Sequence, residues 1–72
     1  MRLPSSTPKR LIRVFRHAGF VVDHQSGSHV VLRHPDGRRA VIPAHNRELK
    51  RGTLFGIIKQ AGYSIEEFLK LL

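Results

Sequence analysis

The stretch Phe20-Val21-Val22-Asp23-His24-Gln25-Ser26-Gly27-Ser28-His29-Val30-Val31-Leu32-Arg33-His34-Pro35-Asp36-Gly37-Arg38-Arg39-Ala40-Val41-Ile42-Pro43 holds three short runs rich in β-branched residues, separated by two turn signals. The first run, Phe20 to Gln25, becomes polar before Ser26-Gly27. The second, His29 to His34, ends at Pro35-Asp36-Gly37, where proline suits the second position of a turn and glycine its end. Arg39 to Pro43 is the third. Connections this short join antiparallel strands, because parallel pairing needs a crossover of about a dozen residues or more. The spacing predicts a three-stranded antiparallel meander. It leaves the buried face open, since Val30-Val31-Leu32 and Ala40-Val41-Ile42 are apolar at both parities.

Helical patterns flank the meander. Thr7-Pro8 reads as a helix start, with threonine capping free N–H groups and proline at a position that needs no donor. Leu11, Val14, Phe15 and Ala18 then follow at i, i+3, i+4 and i+7, and Gly19 closes the helix. Lys9, Arg10, Arg13, Arg16 and His17 stand on the other side, as a solvated face or a nucleic-acid contact. After a polar connection from Ala44 to Arg51, Gly52-Thr53 leads into Leu54, Ile57, Ile58 and Ala61, again at helical spacing, and Gly62 ends that helix. Ser64 and Glu67 form a capping box for a last turn or two through Phe68, Leu69, Leu71 and Leu72. Residues 1–6 read as a short N-terminal arm and 7–72 as a single domain. The fold class is α+β: helix, three-stranded antiparallel sheet, helix, short C-terminal helix. Helices packed on one sheet face leave the other face for a ligand.

A chain of 72 residues is of a size that buries only about 60% of its unfolded surface. It has no cysteine, which removes disulfides and thiolate zinc sites as sources of stability. No apolar run approaches the roughly 18 residues of a membrane span, and no secretory h-region is visible, so a cytoplasmic protein without a membrane role is expected. Thirteen Lys and Arg against five Asp and Glu give a net charge of +8. A field of that sign favours phosphate polymers or acidic proteins as partners.

His29 is the leading catalytic candidate, because imidazole can both take and give a proton near neutrality. It follows the small-residue turn Gly27-Ser28, where glycine permits close backbone approach to a substrate and serine offers a hydroxyl. RNA cleavage without a metal needs a base for the ribose 2′-hydroxyl and positive groups for the phosphorane-like transition state. Lys50-Arg51-Gly52-Thr53, at the start of the second helix, supplies cations and free N–H groups for a phosphate. Arg33 and Arg38 extend the positive surface, with Arg39 beside them. His24 and His29 are candidates to face one another across the first hairpin, but no carboxylate stands at a ligand spacing, so neither a metal nor any other cofactor is expected. A noncatalytic double-stranded-RNA-binding module is the alternative, since such modules read shape and phosphates with a similar basic surface. The Gly-Ser-His turn favours chemistry.

These segments, taken together, resemble the HicA family, small messenger-RNA-cleaving toxins of bacterial and archaeal toxin-antitoxin pairs. The resemblance runs through Ala18-Gly19-Phe20, Gly27-Ser28-His29, Arg33-His34-Pro35-Asp36-Gly37-Arg38, Ile42-Pro43-Ala44-His45, Glu48-Leu49-Lys50-Arg51-Gly52-Thr53-Leu54, Ala61-Gly62 and Glu66-Glu67-Phe68. It implies a double-stranded-RNA-binding-like fold and a metal-independent endoribonuclease, the mRNA interferase of a type II toxin-antitoxin system. It further implies that His29 is the catalytic histidine and that a HicB-type antitoxin neutralises the protein. Phe55 departs from the family pattern, being apolar where many relatives carry a basic residue.

Overall fold

Local chemistry sets the start of each helix. In α1 (Pro8–His17) the Thr7 hydroxyl accepts from the Arg10 backbone N–H at 3.2 Å, and Pro8 occupies the first turn. α2 spans Arg51–Gln60, and its N-cap, Lys50, offers no side-chain acceptor. α3 (Ile65–Leu69) is held by the full capping box: Ser64 Oγ accepts from the Glu67 N–H at 3.1 Å, and Glu67 Oε1 accepts from the Ser64 N–H at 2.8 Å. The computed structural model describes residues 3–72, so Met1 and Arg2 of the expected arm lie outside the described residues. Residues 3–6 form neither helix nor strand, yet Ser6 is buried and its carbonyl accepts from the Leu49 N–H at 2.8 Å.

The strands are β1 (Val21–Ser26), β2 (His29–Arg33) and β3 (Arg39–Pro43), in one antiparallel sheet of order β1-β2-β3. Phe20 was expected to open the first strand. Instead its N–H reaches back to Phe15 O at 3.0 Å and its ring is buried, so it forms the corner between helix and sheet. Gly27 and Ser28 close the first hairpin between the partners Ser26 and His29. Gly27 has φ +57 with nothing within 4 Å of a Cβ built there, so the backbone, rather than crowding, calls for glycine in this two-residue turn. In the second hairpin the Gly37 N–H donates to His34 O and the His34 N–H to Arg38 O, both at 2.9 Å.

Tertiary packing settles the parity that the apolar runs left open. Val30, Leu32, Ala40 and Ile42 face the helices and join Leu11, Phe15, Phe20, Leu54, Ile57, Ile58 and Phe68 in the core. Phe15 is the hub: its ring centroid lies 5.2 Å from that of Phe20, 6.0 Å from Tyr63 and 6.1 Å from Phe68. The second hairpin turn locks onto both helix ends. Arg38 Nη1 donates to Ala61 O at 3.0 Å, past the end of α2, and its guanidinium lies 5.0 Å from the Tyr63 ring and 5.4 Å from the Phe20 ring. His34 Nε2 lies 3.2 Å from Ala18 O, the C-cap residue of α1. No helix among the described residues is long and apolar enough to cross a membrane.

Candidate functional site

The sheet presents its other face to solvent, and the register assigns the residues there. Alternation along β2 puts His29, Val31 and Arg33 opposite the core-facing Val30 and Leu32. Their β3 partners are Pro43, Val41 and Arg39. On β1 the partners are Ser26, His24 and Val21, with a bulge between Val22 and His24. His24 therefore sits opposite Val31, not His29, and the expected facing of the two histidines is corrected. The bulge adds one residue to β1 above that point, while the two-residue turn fixes Ser26 against His29 below it. Val31 is buried even on this face because His24 and Val41 flank it.

His29 is exposed, and no described side chain hydrogen-bonds to its ring. Its backbone is held on both sides. Ser26 pairs with it from β1 and Pro43 from β3, and Ser28 O accepts from the Ala44 N–H. Pro43 has no N–H to give, which suits the non-hydrogen-bonded type of pair, in which facing Cα atoms come to about 4.5 Å. Val41, two residues earlier, turns its N–H outward to Gln60 Oε1 at 3.0 Å, as that alternation requires. The result is a fixed strand with a free imidazole.

A groove of about 360 Å³ begins at Pro43 and is lined by His45, Arg47, Glu48, Leu49, Lys50 and Thr53. That volume falls within the range of small-ligand sites, roughly 300–1,000 Å³. Pro43, the β3 partner of His29, thus lines the same groove as Lys50 and Thr53, while Gly27, Ser28 and His29 are not among its lining residues. The N–H groups of the first turn of α2, with no side-chain cap, add a positive helix end there.

Other sequence-predicted residues stand elsewhere. Arg33 closes the far end of β2, about 13 Å along the strand from His29. Its Nε lies 3.4 Å from Asp23 Oδ2, which is also 2.7 Å from His24 Nδ1. The hydrogen bond from His24, with Arg33 adding to it, holds the Asp23 carboxyl below the usual aspartate range. Arg51 lines a separate depression with Leu3, Phe55, Ser64, Ile65 and Glu66. Arg38 is engaged by Ala61 O, by the two aromatic rings and by Asp36, whose Oδ2 lies 2.7 Å from its Nε. His45 and Arg47 were not among the expected site residues, yet they line the groove, with the Arg47 N–H donating to His45 Nδ1 at 3.2 Å. The signal for His45 was the run Ile42-Pro43-Ala44-His45, which is part of the family resemblance; Arg47 had none. Among the described residues no three His, Cys, Asp or Glu side chains gather as a metal site.

Residues 8–63 match the family model described as HicA toxin of bacterial toxin-antitoxin. The match starts at the first residue of α1, ends just before α3 and takes in the whole sheet. A search of the curated proteins found no match.

Proposed function

The chain belongs to the HicA toxin family, and from that premise we propose that this toxin is a metal-independent endoribonuclease that cleaves messenger RNA, with His29 as its general acid or base. The observation that carries the reading is an exposed, unengaged imidazole on a fixed strand, whose β3 partner Pro43 lines a groove with Lys50 and the uncapped start of α2. In the reaction the ribose 2′-oxygen attacks the adjacent phosphorus and the bond to the 5′-oxygen breaks, leaving a cyclic phosphate. His29 takes the 2′-hydroxyl proton or supplies the proton that the departing 5′-oxygen needs. Lys50, with Thr53 and the N–H groups of α2, offsets the charge that builds on the phosphoryl oxygens. Gly27 and Ser28 let the RNA backbone come close. Arg33 and Arg51 hold phosphates further along the strand, and Arg38 joins them through the part of its guanidinium left open by the turn.

The partner that restrains such a toxin is a HicB-type antitoxin. An acidic surface on that protein would complement the net charge of +8 and cover His29. Cytoplasmic RNA is the substrate pool this reading requires.

Replacing His29 by Ala tests the proposal. Cleavage should fall by about 10² to 10⁴, the usual contribution of a general acid or base. Circular dichroism should match the wild type, because the ring is exposed, and RNA affinity should change far less than rate. Wild-type cleavage should persist in EDTA. A folded His29→Ala protein that cuts at the wild-type rate removes His29 from the mechanism. Binding without cleavage by the wild type would turn the assignment to a noncatalytic RNA-binding module.

A further inference from the structure

Arg16 and His17 suit the last turn of α1, where the dipole favours cations, but the cations before them are not explained by the stability of the helix. Its ten residues include Lys9, Arg10, Arg13, Arg16 and His17, and no Asp or Glu. Lys9 and Arg10 stand in the first turn, where the helix dipole disfavours cations and acidic residues are the stabilising choice. Lys9 and Arg13 are four apart, and Arg10, Arg13 and Arg16 three apart, so like charges repel along one side of the helix. All four cations are exposed. None of them forms an ion pair with a described carboxylate. A buried stripe of Pro8, Leu11 and Phe15 fixes the helix on the sheet, which leaves the charged side facing outward.

Along that outward side runs a groove of about 450 Å³ lined by Lys9, Ile12, Arg13, Arg16 and His17. We propose that it is a second RNA site, which grips the phosphate backbone on the layer opposite the open sheet face that bears His29. The proposal rests on the RNA reading above for its substrate class. From Lys9 to Arg16 the helix rises about 10 Å, so its cations are spread along a line that a phosphate backbone can follow. Arginine forks suit phosphate oxygens, and a polyanion relieves the repulsion built into the helix. A protein occupant fits less well. The buried core of a protein interface is apolar and aromatic, whereas this groove offers one half-buried isoleucine among cations. RNA held there is tethered without occupying the cleavage groove.

The test reads binding alone, in a His29→Ala background that leaves the RNA intact. Fluorescein-labelled single-stranded oligouridylate is titrated against this parent and against a version that also carries Lys9→Gln, Arg13→Gln and Arg16→Gln. Affinity should drop tenfold or more at moderate salt. The slope of log affinity against log salt should shrink by about 2, the value for three phosphate contacts to a single strand. The melting temperature should hold or rise, since repulsion has been removed. If the triple variant does not fold, Arg13→Gln alone should lower the slope by about 0.7. An unchanged slope overturns the proposal, and so does unchanged RNA affinity with weakened binding of poly-glutamate, which would assign the face to an acidic protein. A wild type that cuts no RNA but shows the slope change sinks the nuclease reading and leaves this site standing.

Discussion

Single residues in this protein divide into those that hold the backbone and those that the held backbone presents. Gly62 and Gly27 belong to the first kind for different reasons. Both have positive φ, +86 and +57, but a Cβ at Gly62 would meet Arg38 Cδ at 2.7 Å, while one at Gly27 would meet nothing. Gly27→Ala should therefore cost about 1–2 kcal/mol, the left-handed backbone penalty alone. Gly62→Ala should cost more, because it also displaces the guanidinium bonded to Ala61 O; urea denaturation of the two variants checks the order. His29 is of the second kind. Its residue type and the Gly-Ser turn before it were legible in the sequence, because both are local. Arg38 was legible only as a charge, since its acceptor is 23 residues away and its ring partners come from two separate corners.

The elements show how far local rules carry. α3 has five residues, too few to form a stable helix alone, and persists through its capping box and the buried Phe68. The Ser64 backbone N–H, helped by its hydroxyl, keeps the Glu67 carboxyl below its ordinary value of 4.5. A carboxyl depressed by folding contributes stability above its unfolded pKa and loses it as pH falls through the folded value. Glu67→Gln should thus be less stable than wild type near neutrality, and the gap should close below about pH 4.5 as both forms become neutral there. Urea midpoints taken from pH 6 to pH 3 measure this; a gap that stays constant would mean the charge of Glu67 does not matter. Strand lengths were readable to within a residue from β-branched runs and turn signals. Phe20 was misread because its aromatic side chain suits a strand, while the backbone bond that places it comes from α1.

On the scale of the whole molecule, one aromatic cluster joins the helices to the corner of the sheet. Phe15 touches Phe20, Tyr63 and Phe68 and is fully buried, so Phe15→Ala should cost about 3–5 kcal/mol. In so small a domain that is enough to lower the thermal midpoint sharply, and a small shift in calorimetry would contradict the packing. The sequence by itself determined the order of elements, the antiparallel sense of the sheet, both turns and the N-caps of α1 and α3, because each depends on residues a few positions apart. It also determined the excess of positive charge and pointed to the histidine after the Gly-Ser turn. The tertiary structure decided which face of the sheet is buried, because two apolar parities compete until helices cover one of them. It decided too that Pro43, the β3 partner of His29, lines one groove with Lys50 and Thr53, while Arg33 closes the far end of β2 and Arg51 lines a separate depression. Strand pairing and helix packing set those positions, and both act between residues far apart in the chain.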